Sequence, residues 1–526
     1  MVADVTTVRA ATLTVGESDT DSSSGGAYPQ ALHRGLGLMG TFSTSFAQQG
    51  VMASTTLLFG YGLSNGGPAV MLYVWLIGSL LACITGACLA EICSKLPYAG
   101  SVYHWAGHLA PPGQAPIASY WTGWLNLLGN AASSVGYSYG FGQFVAALYN
   151  IDAPVPLSPG ATVGIAMAGT VAMAFVNILR IDIQGSMNTV NMIFSLGSLI
   201  AVCTCLMLSD TPKHTLYWAF TTTTNTTGFD NFGYVVLTAT LTLLFGVAGY
   251  EASAHLAEET RDPRTVAPWG MVFNIFTTCV FGFIYLLVLL LCIPTTGIHF
   301  DDVTDDGLNY VMNSAYANDA IAVFVATVGK RTAAALTVLI VIMAFMAGLA
   351  NMTITARVGY AMARDGAFPG SKWLSQLNSH SQSPVNMILA ILVFDFVLLL
   401  VPLGNQLAFT AVTSISTIGY QISYLIPIVL RLTAGTFEQD EHFNLGYFSV
   451  PLHIISAVFL FVTGGFMFLP QSAPVSEVET FNWAIPVTPF FVIVGLIYWE
   501  LYAKYYFKGP AEDHSIETLQ KIEDII

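Results

Sequence analysis

The feature that most restricts this chain is a succession of long apolar runs almost free of charge. A helix that crosses a bilayer takes about 20 mainly apolar residues. Runs of this kind lie at 37–62, 69–92, 117–147, 161–179, 187–208, 233–256, 269–293, 333–358, 385–402, 407–431, 448–469 and 485–507. Twelve such runs predict an all-α integral membrane protein, because lipid leaves each backbone N–H and C=O to be satisfied within its own helix. Only 9% of residues are charged, whereas soluble domains carry about 25%.

Three segments follow. Residues 1–35, rich in Ser, Thr and Asp, predict a disordered cytosolic tail. Residues 36–508 form the transmembrane domain, in contact with membrane lipid, and 509–526 a second cytosolic tail. The net charge of −15 argues against a nucleic-acid partner, which needs a basic footprint. Seven cysteines, an odd number without a CxxC pair, indicate neither a disulfide framework nor a zinc site. Without a His, Cys or carboxylate cluster at catalytic spacing, an enzyme is a weak reading, and no cofactor or metal is expected.

Lys and Arg favour cytosolic loops and so set orientation. With the N-terminus inside, thirteen of the sixteen fall on the inner side, leaving Lys213, Lys330 and Arg331 outside. An even number of crossings returns the C-terminus to the cytosol. The sequon at Asn225 then falls in an outer loop.

Two runs contain groups that lipid does not tolerate. The first places Gln48, Gln49 and Gly50 at mid-depth, and the sixth breaks at Phe245–Gly249 and carries Glu251. Amides and carboxylates at such depth must face protein or water. These are the leading helices of two five-helix halves, and interruptions at matching places point to a transporter's midplane site. Backbone groups freed there, with the half-helix dipoles, suit a carboxylate and a cation. Glu251 has two readings: a packing carboxylate, or a group whose protonation couples ion and solute movement. Asp395 in the ninth run favours a local structural role. Asn130 in the third run either bonds a neighbouring helix or reaches the solute. Gly136-Tyr-Ser-Tyr-Gly140 sits mid-helix and reads as helix packing, not as a nucleophile elbow.

AEICSKLPYAGSVYHWAG (Ala90–Gly107), SYWTGWLNLLGNAA (Ser119–Ala132), FGVAGYEASAHLAEETRDPRTVAP (Phe245–Pro268), TARVGYAMARDGAFP (Thr355–Pro369) and FKGP (Phe507–Pro510) occur in that order. Together they resemble the amino acid–polyamine–organocation superfamily, within it the branch of fungal GABA and choline permeases and plant bidirectional amino-acid transporters. The resemblance implies a leucine-transporter-like fold, with a 5+5 inverted repeat and two extra helices. It implies a solute site between helices one and six, walled by three, eight and ten. By position, Gln49, Gly50, Val51, Met52, Ala53 and Ser54 supply the first hinge, and Gly246, Val247, Ala248 and Gly249 the second. Phe245 takes the place of the aromatic gate, and Asn130 that of a polar wall residue. The charged loop after helix six is implied to latch the inner gate, with Arg261 or Arg264 pairing with Glu91 or Asp182 in one conformation and releasing in another.

The expected function is a secondary transporter of an amino acid, GABA-like solute, choline or polyamine, working by alternating access in the plasma membrane. A membrane receptor for the same ligands is the alternative. The coupling ion stays open between proton and sodium: no Lys lies between Arg180 and Lys213 for a proton, and Thr353 or Thr355 could serve sodium. The oligomeric state is not legible. Both termini are expected inside, so protease added to sealed cells should leave terminal tags intact, and cleavage of either would overturn the orientation.

Overall fold

The computed structural model describes residues 36–153, 155–295, 307–403, 408–434, 442–475 and 481–510. The N-terminal tail and all but the first two residues of the C-terminal tail therefore lie outside the described residues. The first run forms two short helices, α1 (Leu38–Gln49) and α2 (Val51–Ser64). Then come α3 (Gly67–Lys95), α4 (Val102–Leu109), α5 (Ala115–Asn150), α6 (Pro159–Asn177), α7 (Ile181–Met207) and the short α8 (Leu216–Thr221). The sixth run is again divided, into α9 (Phe232–Val247) and α10 (Ala252–His255). The rest are α11 (Pro263–Leu291), α12 (Gly307–Met312), α13 (Asp319–Arg364), α14 (Ser371–Leu374), α15 (Val385–Leu399), α16 (Ala408–Thr433), α17 (Ser449–Phe466) and α18 (Ala484–Tyr498).

Helix starts follow ordinary capping chemistry. Asn231 accepts from the Tyr234 N–H, Asn318 from Ala320 and Ile321, and Pro stands in the first turn of α3, α5, α6 and α11. Gly329, at φ 75°, kinks α13, so Lys330–Arg364 makes the crossing expected near 333–358.

Ten helices among the described residues are long and apolar enough to cross a membrane. The two remaining predicted crossings, α1/α2 and α5, are helical but more polar. Their Ser, Thr, Asn, Gln and Tyr side chains are turned inward: Thr44, Gln49, Asn126 and Asn130 are fully buried. Polarity that lowers a span's hydropathy here marks what faces the protein's centre.

Helices of equal rank in the two halves pack together, α3 against α11 and α5 against α13, and α5 also packs along α16. The α5–α16 approach is set by glycines. A Cβ on Gly419 would lie 2.7 Å from Gly129 Cα, so the two backbones touch. At one face, Asn65–Gly66 pairs antiparallel with Thr224–Asn225. At the other, Leu36 pairs with the segment after α10: its N–H donates to the Glu259 carbonyl, and the Arg261 N–H donates to the Leu36 carbonyl, both at 3.0 Å. Asp395 joins α15 to α5 by accepting the Ser134 hydroxyl at 2.6 Å.

Gly419→Ala should force α16 off α5 and destabilise the protein by about 1–3 kcal/mol, read as a lower melting temperature in detergent. Gly465→Ala, whose methyl would meet nothing within 4 Å, should melt like wild type.

Candidate substrate site

The first break is a single residue. Gly50 lies in the left-handed region (φ 46°, ψ 48°), and its missing side chain makes room for Ala347, whose Cβ would be 2.5 Å from a Cβ at position 50. Helix α2 restarts at once, so the N–H groups of Val51, Met52 and Ala53 lack a preceding turn of carbonyls. Ser54 N–H makes the first α2 bond, to the Gly50 carbonyl at 2.9 Å, and the Ser54 hydroxyl donates to backbone oxygens of its own turn.

The second break lies later than the sequence suggests. Phe245, Gly246 and Val247 belong to the last turn of α9, and the departure starts at Ala248 (ψ 157°). It continues through Gly249 (φ 81°) to Glu251, before α10 begins at Ala252. Gly246 is helical, and a Cβ there would meet only ordinary contacts. The unwinding therefore depends on Gly249 and not on Gly246.

Gln49 ties the two breaks together. Its Nε2 donates to the Val247 carbonyl at 2.7 Å, its Oε1 accepts the Thr278 hydroxyl, and its backbone carbonyl accepts the Tyr137 hydroxyl at 2.6 Å. The side chain expected to hold solute is thus occupied as a brace. Gln48 points instead at the second break, its Nε2 2.8 Å from where a Cβ on Gly249 would lie. Its Nε2 donates to Asn130 and Tyr420 at 3.4 and 3.5 Å, and its Oε1 is buried with no hydrogen-bond partner. Asn130 also accepts from the Tyr420 hydroxyl at 2.9 Å and donates to Asn126.

Glu251 is wholly buried just past the second break. It accepts from Asn126 Nδ2 at 3.1 Å and from the Tyr424 hydroxyl, and the same Tyr424 oxygen receives the Gly249 N–H at 3.1 Å. His255 Nε2 stands 3.6 Å from Glu251 Oε1, while its Nδ1 lies 3.0 Å from the Ala99 carbonyl. Phe245 packs toward the opposite face, over Gly136 and beside Tyr137, ring centres 5.7 Å apart. Cavities of about 20 and 10 Å³ border the two breaks. Each has room for a water at most, so the helices enclose the hinge tightly in this conformation.

The latch differs from expectation. Arg261 and Arg264 are exposed and make no ion pair among the described residues. Asp182 pairs with Arg180, and Glu91 instead accepts the Leu445 N–H and the Ser449 hydroxyl. The acids of the loop, not its arginines, close this end. Buried Glu259 takes Arg357 Nε at 3.0 Å, and Glu258 takes Arg364 through two bonds of 3.0 and 3.2 Å. Arg261 contributes only its backbone.

The family model described as "Amino acid permease" matches residues 39–496, spanning both breaks. The chain belongs to the amino acid permease family. It is similar to Amino-acid permease BAT1 of Arabidopsis thaliana, with 29% identity over 92% of this chain and 94% of that protein. Amino-acid permease 2 of Neurospora crassa is 26% identical over 93% of this chain and 90% of its own length. The GABA-specific permease of Saccharomyces cerevisiae is 26% identical over 93% and 85%.

This permease is a membrane transporter with an all-α fold. The structure brings Gln49, Gly50, Val51–Ser54, Asn130, Val247, Ala248, Gly249 and Glu251 to one centre. Sequence reasoning missed Tyr420 and Tyr424 of α16, Asn126, Tyr137 and His255. A signal for the first two existed: Thr413, Thr417, Tyr420 and Tyr424 recur at helical spacing within an apolar run, and all four are buried. Thr353 and Thr355, considered for sodium, bond elsewhere, Thr353 to Asn177 and Gln184 and Thr355 to the Asn351 carbonyl.

Gly50→Ala and Gly249→Ala should each abolish uptake, because both sites need positive φ, and a methyl would clash with Ala347 at Gly50 and push the Gln48 amide aside at Gly249. Gly246→Ala should transport within about twofold of wild type, since an α-helical Ala costs nothing there. Equal uptake by all three variants would place the hinges elsewhere.

Proposed function

We propose that this permease moves zwitterionic amino acids, GABA-like solutes among them, across the plasma membrane with a proton. Both termini would then be cytosolic. The observation that carries the reading is the pairing of opposite helix ends at the two breaks, braced by Gln49. The N-terminus of α2 favours a carboxylate, and the C-terminus of α9 favours an ammonium group. A site offering both polarities suits a molecule carrying both charges better than choline or a polyamine, which carry only cations. The names of the fungal and plant relatives support the same solute class.

Glu251 and His255 support proton coupling. A carbonyl oxygen only accepts, so the hydrogen between His255 and Ala99 resides on Nδ1. Nε2 then turns a lone pair toward Glu251 Oε1 at 3.6 Å unless one proton lies between them. The other titratable groups gathered here are Tyr424, which bonds Glu251, and Tyr250 and Tyr420, whose rings lie 4.9 and 5.8 Å from that of Tyr424. Loss or gain of that proton would change what ties the second break to Asn126 of α5 and Tyr424 of α16.

Uptake of labelled GABA and alanine into liposomes against pH tests the reading. Wild type should accumulate label when an inward proton gradient is imposed. Glu251→Gln should still be stabilised thermally by the solute but lose the pH dependence of uptake. No accumulation of either solute would refute the solute class, and matching pH profiles would leave Glu251 a packing group.

A further inference from the structure

We propose a second binding site, for an organic ammonium group, in the vestibule at the face that carries Asn225. A cavity of about 520 Å³ opens there between α2, the kinked arm of α13 and residues Phe481, Asn482 and Trp483 before α18. This is far larger than a metal ion needs and falls within the usual range for small-molecule sites. Among the described residues that line it, Asp319 is the one that carries a charge.

Three observations make Asp319 more than a favourable residue at a helix start. Capping of α13 is already done by Asn318, which accepts from Ala320 and Ile321 and donates to the Thr56 carbonyl at 2.9 Å. The Asp319 carboxylate makes no hydrogen bond or ion pair among the described residues, although it is partly buried. Its Oδ2 lies over Gly60, where an added Cβ would be only 1.9 Å away, so the absent side chain at Gly60 seats the carboxylate.

The remaining chemistry suits a cation as well. Three bordering amides already donate to protein oxygens, Asn318 to Thr56, Gln471 to Ser414 and Asn482 to Met467 and Leu469. Phe481 and Trp483, ring centres 5.4 Å apart in an edge-on pair, supply aromatic faces that attract ammonium groups. Gly60 stands ten residues beyond Gly50, about 15 Å along α2 at the helical rise. A solute held here by its amino end would wait one half-helix above the hinge, and the Asn318–Thr56 bond fixes the vestibule to that half-helix. Delivery to the hinge rests on the transport reading above, whereas binding in the vestibule does not.

The test is a tryptophan-fluorescence titration of the full-length protein in detergent, with n-butylammonium as probe and ionic strength held with KCl. Wild type should show saturable quenching, and 1-butanol should not reproduce it. Asp319→Asn and Gly60→Ala should weaken binding at least tenfold, and Trp483→Phe should remove the signal. Equal affinity in Asp319→Asn, an equal response to butanol, or persistence of the signal in Trp483→Phe would each overturn the site. Should a variant fold poorly, the ammonium-against-alcohol comparison on wild type decides alone. Quenching without liposome uptake would count against the transport reading and leave this one standing.

Discussion

A backbone opened inside a membrane has no water to turn to, and each freed N–H and C=O costs several kcal/mol unless protein satisfies it. The rest of this structure is arranged around that constraint. Gln49 meets it most directly, since one side chain and its own carbonyl engage Val247, Thr278 and Tyr137. By joining α1 to the end of α9 and to α11, it holds two unwound segments side by side. The groups left unclaimed, the first-turn N–H groups of α2 and the Gln48 carbonyl, are those facing the centre.

The polar helices answer the same constraint from the outside. Helix α5 brings Asn126, Asn130 and Tyr137, and α16 brings Tyr420 and Tyr424, to the two breaks. They reach because Gly129 and Gly419 let the two backbones touch, which sets the Tyr420 hydroxyl 2.9 Å from Asn130. Removing one member of such a network leaves its partner buried and unpaired, so its parts are more interdependent than separate bonds suggest. Glu251 is the member with most to lose. Its carboxylate is enclosed by α5, α10 and α16, and those helices are the ones that meet at the second break.

Closure at the two ends differs in kind. Toward Leu36 the seal is ionic and backbone-paired, with Arg357 and Arg364 of α13 gripping Glu259 and Glu258. A buried pair such as Arg357–Glu259 adds little net stability but is costly to leave half-broken, so it suits an element with two discrete arrangements. Toward Asn225 the seal is apolar, Phe245 lying over Gly136 beside Tyr137. Apolar contacts separate without stranding a charge. The end that opens to the vestibule is therefore the less demanding to release.

Much was legible in the sequence. Twelve apolar runs gave the crossings to within a few residues, and Gly50 was identifiable as a hinge because an amide pair and a glycine at mid-depth have no other use in lipid. Glu251 stood out for the same reason. Periodicity and transfer energy are local properties, so one stretch of chain suffices to read them. What a residue touches is not local. Gln49 and Gln48 are adjacent and chemically identical, yet one braces Val247 and the other points at Gly249, since successive helical positions are rotated by about 100°. The acids Glu258 and Glu259, and not Arg261 or Arg264, form the ion pairs, because α13 delivers its arginines there from 98 and 106 residues away. Entry into the membrane and the two broken helices could be read along the chain alone. Which polar groups those breaks consume and which they leave unbonded depends on the distances at which separate helices pack, and no single stretch of chain carries those distances.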